Sequence, residues 1–343
     1  MIRYISKNKQ LFLLPGIVYG TVEELIEFFD TNTIIGFDTE TTGFSVINDN
    51  VLCYQIGNRN DQFVVDHSSY PIQQFKSYFE SSNKLWLLQN FKFDGRFLIK
   101  YGINIWPMKV FDTFLAECVL NTGLTDVGLG LDDIVWKYCN YKLDKTIRGQ
   151  INLLGLTTRV IKYAAEDVEY LEEVMNAQLV KIKENNLENV MNLENQVVKV
   201  FTYMEYYGVK LDVDKWKEVI KTVDLEVIKL ISELDNMLYQ DKRFIPFLPR
   251  YTQGTLFDLP KREVEVNWSS NQQKLAICRK IQPELESVGD RELQRIKHLH
   301  PLIKKLVEFT KFSKLQSSFG KKFLSFVNSD GRIRASIWQI LKY

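Results

Sequence analysis

Residues 34–44 read IIGFDTETTGF, an apolar run that ends in two acids one residue apart, Asp38 and Glu40. Isoleucine, phenylalanine and threonine dominate the run, so it reads as a largely buried strand. On a strand, residues i and i+2 project from one face, which aims both carboxylates at the same point. Two anions there repel unless water or a cation separates them, and a hard divalent ion with oxygen ligands suits such a pair. A polar strand end entering a turn is the simpler alternative, and these two residues alone do not choose between them.

The surrounding sequence alternates short β-rich runs with helical ones. Strands are predicted at 33–40, 51–57, 62–67 and 84–89, where β-branched and aromatic residues cluster. Helices are predicted at 21–30, with Thr21 as N-cap and Glu24 completing a capping box, and at 94–101, 112–120, 129–139 and 157–177. That order implies an α/β domain with a mixed sheet flanked by helices. From about residue 186 the β signal fades and apolar residues recur at three- and four-residue spacing, so the second half is expected to be mainly helical. A stretch rich in proline and turn residues, 243–270, interrupts it, and a long helix is expected at 301–327.

The chain has 343 residues, room for roughly two domains, and its 45% hydrophobic content is enough for real cores. The formal net charge of +1 conceals an asymmetry, because residues 291–343 carry 12 Lys and Arg against 3 Asp and Glu. An acidic front and a basic tail suggest different contacts. The four cysteines are scattered and form no CxxC pair, which disfavours a disulfide framework or zinc site and fits a reducing cytoplasm. The apolar patch at 11–20 is about half a membrane span, contains Pro15 and lacks a signal-peptide pattern, so no membrane role is implied.

Two further acidic stretches stand downstream. In LLQNFKFDGRF a strand ends at Asn90 and a helix opens at Asp94, which as an N-cap would be unremarkable. In RVIKYAAEDVEYLEEV, Tyr163 and Asp167 are i and i+4 on one helix face, while Glu166, Glu169, Glu172 and Glu173 are assigned to its solvated side. Asp112 is read as a helix N-cap.

The three stretches in this order, DxE on a strand, NxxFD at a strand-to-helix junction and YxxxD on a later helix, resemble the DEDD exonuclease superfamily in its tyrosine variant. Over roughly residues 20–180 the sequence is similar to the 3′-5′ proofreading domain of family A DNA polymerases, which implies a ribonuclease H-like fold. The resemblance makes Asp38, Glu40, Asp94 and Asp167 the holders of two divalent metals, Mg²⁺ with Mn²⁺ able to substitute. Tyr163 would then orient the attacking water. Phe44 matches a wedge against the terminal bases, and Asn90 and Phe93 match positions beside the scissile nucleotide. For Phe93 a place in the core is an equal alternative. The three histidines lie outside the motifs, so a histidine general base is not expected.

Past the exonuclease motifs, MEYYGVKLDVD (204–214), VNWSSNQQKL (266–275), residues 299–324 and SDGRIRASIWQ (329–339) resemble successive landmarks of the thumb and first palm strand of the same polymerases. The division expected is exonuclease at 1–185, helical thumb at 186–327 and the start of a palm at 328–343. Lys304, Lys305, Lys311, Lys314, Lys321 and Lys322, with Arg332 and Arg334, would line a duplex backbone, although a charge run is ordinarily a solvated face. The family commonly carries histidine at the place of Arg334. The palm aspartates and fingers helix of the family are not in this sequence, which leaves a split polymerase with a second polypeptide, or a shortened one. Residues 325–343 would then be an open docking edge.

The expected function is metal-dependent 3′-5′ hydrolysis of DNA to 5′-mononucleotides, in proofreading, with single-stranded 3′ ends at the exonuclease site and primer-template duplex at the thumb. A ribonuclease D-type exoribonuclease and a noncatalytic DNA-clamping or assembly subunit are the alternatives.

Overall fold

The computed structural model describes residues 1–9, 11, 14–248 and 266–340. They form two compact units, residues 1–208 with 334–340 and residues 209–333.

The first unit runs β1 (Ile2–Ile5), β2 (Ile17–Tyr19), α1 (Val22–Thr31), β3 (Ile34–Thr41), β4 (Val51–Gly57), β5 (Gln62–Asp66), the single turn α2 (Lys76–Phe79), β6 (Leu85–Leu88) and α3 (Phe91–Lys100). It continues through β7 (Lys109–Asp112), α4 (Thr113–Leu120), α5 (Leu131–Cys139), α6 (Ile151–Leu154), α7 (Thr158–Glu169), α8 (Leu171–Glu184) and α9 (Glu188–Tyr207). The strands form one mixed sheet in the order β2-β1-β5-β4-β3-β6-β7, antiparallel at β3/β4 and β4/β5 and parallel elsewhere. This is the ribonuclease H-like arrangement of sheet and flanking helices expected from the sequence.

The local chemistry explains most element ends. Thr21 accepts from the Glu24 amide at 3.2 Å while Glu24 accepts from the Thr21 amide at 2.7 Å, the reciprocal box that starts α1. Asp112 caps α4 as anticipated, taking the Phe114 and Leu115 amides, and it also takes those of Asn90 and Phe91 at the start of α3. One carboxylate thus satisfies the opening amides of two helices. The strands β1, β2 and β7 are additions to the sequence reading, being only three or four residues long and therefore weak in period. The single helix expected at 157–177 is two, α7 and α8, broken at Tyr170.

Strand β3 has two unlike faces, and this sets up the site. Phe37 projects into an aromatic core with Phe79 and Trp86, which stack at 4.4 Å. Gly36, Asp38 and Glu40 project from the other face, toward α7. A Cβ on Gly36 would stand 2.9 Å from the Val168 carbonyl oxygen, so glycine is what lets α7 lie against the strand. The β3/β4 register shifts between Glu40 and Thr41, and such a bulge re-aims neighbouring side chains.

The first compact unit runs through Gly208, and α9 packs its buried face, including Val198 and Thr202, against α3 and α4. Residues 334–340 also belong to this unit. The Arg334 Nε donates to the Tyr206 carbonyl at 2.6 Å, the Ile337 amide to Glu205 at 2.8 Å and Gln339 to the Glu194 carbonyl at 3.0 Å.

The second unit contains β8 (Val209–Lys210), α10 (Val213–Gln240), α11 (Asn271–Cys278), α12 (Asp290–Ile296), α13 (Pro301–Phe319) and β9 (Arg332–Ile333). It is mainly helical, with α10 and α13 packed through Leu230, Leu234, Leu306 and Phe309. His300 caps α13 by accepting the Leu302 amide at 3.1 Å, with Pro301 at the first helical position. The helix expected to reach 327 stops at Phe319, before Gly320 and a 3₁₀ segment. Most of the expected break at 243–270 lies outside the described residues. Among those described, no helix is long and apolar enough to cross a membrane.

Candidate metal centre

The site is assembled from β3, α7 and the start of α3. Asp38 and Glu40 share a face of β3, and Asp167 reaches them from α7; each offers an oxygen lying within 4.8 Å of the others. Asp94 comes from the other side. It is buried in the first turn of α3 and accepts a 2.6 Å hydrogen bond from the hydroxyl of Thr39, the residue between the two β3 acids. The N-cap of α3 is Asn90, not Asp94, and its backbone is left-handed with φ of 67°.

Tyr163 and Asp167 are both buried on one face of α7, one turn apart. Glu166, assigned by sequence to the solvated side, is buried too, since α7 lies across β3, β4 and β5 and exposes little of its circumference. Phe44 lies beyond the strand and is 85% exposed, its ring 6.2 Å from that of Phe93 in an edge-on contact. Phe93 is half-buried, 5.4 Å from Phe97, so it joins the core cluster with one side and Phe44 with the other. Asn90 is exposed.

Desolvation, then the charges of Asp94, Asp167 and Glu40, hold the Asp38 carboxyl well above the usual carboxylate range. Burial likewise pushes Asp94 up to about 7, against the Thr39 hydroxyl that pulls it down. Carboxylates crowded to this extent are what a bound divalent cation relieves, and an all-oxygen donor set suits Mg²⁺ or Mn²⁺. The residues therefore fit a metal centre.

Two residues absent from the sequence reading complete the site. Thr39 bridges β3 to Asp94. Lys145, in the segment between α5 and α6, places its ammonium 2.5 Å from Asp167 and 4.8 Å from the centre of the Tyr163 ring. Neither carries a periodic signal; Thr39 was legible only as the middle of DTE.

In the second unit, Lys304, Lys311, Lys314, Lys321 and Lys322 are exposed. Lys305 differs, being tied to Glu233 at 2.9 Å and Glu308 at 2.8 Å, which makes it a packing cation of the helical unit. Arg332 lies on β9 and is half-buried, as is Arg334 in the first unit.

Comparison with known proteins agrees with this arrangement. Residues 19–183 match the 3′-5′ exonuclease family of DNA polymerase A type. DNA polymerase DpoZ of Vibrio phage phiVC8 is 24% identical over a 216-residue alignment that covers 55% of this chain and 34% of that protein. The chain thus matches about a third of the length of that relative. Among solved structures, the POL domain of Pol1 from M. smegmatis, in complex with DNA primer-template and dNTP, superposes with a TM-score of 0.66 at 17% identity, covering 99% of this chain and 53% of that one. The catalytic core of RRP6 from Trypanosoma brucei gives 0.50 at 16% identity, covering 93% and 80%. At such identities these structures speak to the fold alone. Residues 19–183, with all three acidic motifs inside the match, are thus similar to the 3′-5′ exonuclease family of DNA polymerase A type.

Proposed function

We propose that the protein is a divalent-metal-dependent exonuclease that removes 5′-mononucleotides from 3′ ends of DNA, and that it serves as the proofreading and thumb portion of a family A DNA polymerase. The observation that carries this reading is the convergence of Asp38, Glu40 and Asp167 to within 4.8 Å, with Asp94 beside them through Thr39. In this reading the protein works with a polymerase palm and fingers in the cytoplasm of a host cell.

Asp38, Glu40, Asp94 and Asp167 would hold the metals. When bound, such ions supply a nucleophilic hydroxide and stabilise the departing 3′ oxygen. Tyr163, one turn before Asp167 on the buried face of α7, orients the attacking water. Phe44 and Phe93 offer an aromatic edge on which unpaired terminal bases stack regardless of sequence, and Asn90 contacts the strand beside them. In the helical unit, Lys304, Lys311, Lys314, Lys321 and Lys322 neutralise backbone phosphates of a duplex, aided by Arg332; Lys305 is excluded by its two carboxylate partners, and Arg334, in the first unit, is held by the Tyr206 carbonyl.

DNA is favoured over RNA because the sequence relative is a phage DNA polymerase and the family matched over residues 19–183 is of DNA polymerase A type. Release of nucleotides from labelled single-stranded DNA and RNA of matched sequence tests the assignment. Mg²⁺-dependent release from DNA should vanish in an Asp38→Ala, Glu40→Ala variant. Faster cleavage of RNA would replace proofreading with an exoribonuclease, and no release from either would leave a DNA-clamping subunit.

A further inference from the structure

Lys145 is the unexpected member of the metal centre. Its side chain is 19% exposed and its ammonium meets Asp167, whose side chain is only 7% exposed. It also sits over Tyr163, the other motif residue of α7. Around Asp38 its charge opposes the three carboxylates. An exposed lysine pair is ordinarily worth little, but this one faces a cluster of four acids that would otherwise repel one another. Lysine also suits a contact that must be surrendered, since its ammonium is a compact point charge on a flexible stem without the fixed fork of arginine.

We propose that Lys145 is a resident counter-cation of the acidic cluster, a positioning residue that holds Asp167 in place and yields its contact to the incoming divalent ion. The inference rests on the metal centre argued above. Its physical content is competition: a lysine and a metal that draw on the same Asp167 oxygens each weaken the other's hold, by linkage. Removing the lysine should therefore loosen the metal-free protein and tighten metal binding together.

The test uses the whole chain with Lys145→Met and Lys145→Arg, titrated with Mn²⁺ alone by calorimetry and melted with and without Mn²⁺. The methionine variant should melt lower than the parent without metal, and bind Mn²⁺ roughly tenfold more tightly, equivalent to ~1.4 kcal/mol. Its metal-induced rise in melting temperature should exceed that of the parent, whereas the arginine variant, which keeps the charge and grips Asp167 with a fixed fork, should bind Mn²⁺ no more tightly than the parent. A lysine that merely ties its loop to α7 would lower both melts equally and leave the Mn²⁺ affinity unchanged. A lysine that acts only on the scissile phosphate would cut turnover with the same unchanged affinity. Either result overturns the inference while leaving the metal centre standing, whereas a parent that binds no Mn²⁺ removes both. If the methionine variant does not fold, Lys145→Gln, neutral but hydrogen-bonding, carries the same comparison.

Discussion

Gly36→Ala isolates how closely the fold holds its acids. The added Cβ would stand 2.9 Å from the Val168 carbonyl oxygen, 3.0 Å from that of Gly57 and 3.1 Å from the Val168 Cβ. Two of these neighbours are backbone atoms of different elements, α7 and β4, so no side-chain rotation relieves the crowding. The relief available is a retreat of α7 from β3 by a few tenths of an ångström. Overpacking of this kind costs about 1–3 kcal/mol, while alanine returns about 0.4–1 kcal/mol by restricting the unfolded chain. The net loss should be about 1–2 kcal/mol, or a fall of roughly 2–8 °C in the melting temperature of the first unit. Because Val168 follows Asp167, the retreat carries that carboxylate away from Asp38 and Glu40. A misplacement of 1 Å costs about a hundredfold in rate, so a few tenths should cost about threefold to tenfold. Differential scanning fluorimetry without metal and single-turnover release of the 3′ nucleotide read the two effects. A variant that melts at or above the parental temperature and cleaves at the parental rate would refute the argument that this glycine sets the α7 position.

Two other expectations concern charge. Glu117 is fully buried, and although desolvation raises its pKa, hydrogen bonds from Lys137, Gln178 and Tyr138 outweigh it and leave the carboxyl below its ordinary value. A group depressed in the folded state adds stability above its unfolded pKa of about 4.3 and loses it as pH falls through the folded value. Urea titrations of Glu117→Gln should therefore show a loss of about 1–3 kcal/mol at pH 7 that shrinks on acidification below about pH 4; a constant difference would contradict it. In the second unit, Lys311→Ala with Lys314→Ala should weaken duplex binding and flatten its salt dependence by about two in slope, measured by fluorescence anisotropy. Lys305→Ala should instead lower the melting temperature with little change in that slope, because its ammonium is occupied by Glu233 and Glu308.

The shared faces of the candidate acidic residues were legible in sequence, for a reason that lies in local geometry. Asp38 and Glu40 sit i and i+2 on a strand, Tyr163 and Asp167 sit i and i+4 on a helix, and each spacing by itself dictates a shared face. The same locality revealed the capping box at Thr21 and the Asp112 cap. Only the folded chain decided what depends on approach between distant segments. Thr39 finds Asp94 across 55 positions, and Lys145 finds Asp167 across 22. Glu166 is polar and its place on α7 looked solvated, yet it is buried, with Lys145 of a distant segment beside it. That α9 packs on α3 and α4 was equally hidden, because an amphipathic pattern declares an apolar face without naming the helices that receive it. The partners of residues 334–340 were hidden for a similar reason, since Tyr206 and Glu205, which accept from Arg334 and Ile337, stand more than a hundred positions away. Periodicity in a sequence records which side of an element is turned inward; which charge or carbonyl waits there is set by packing, and packing belongs to the whole chain.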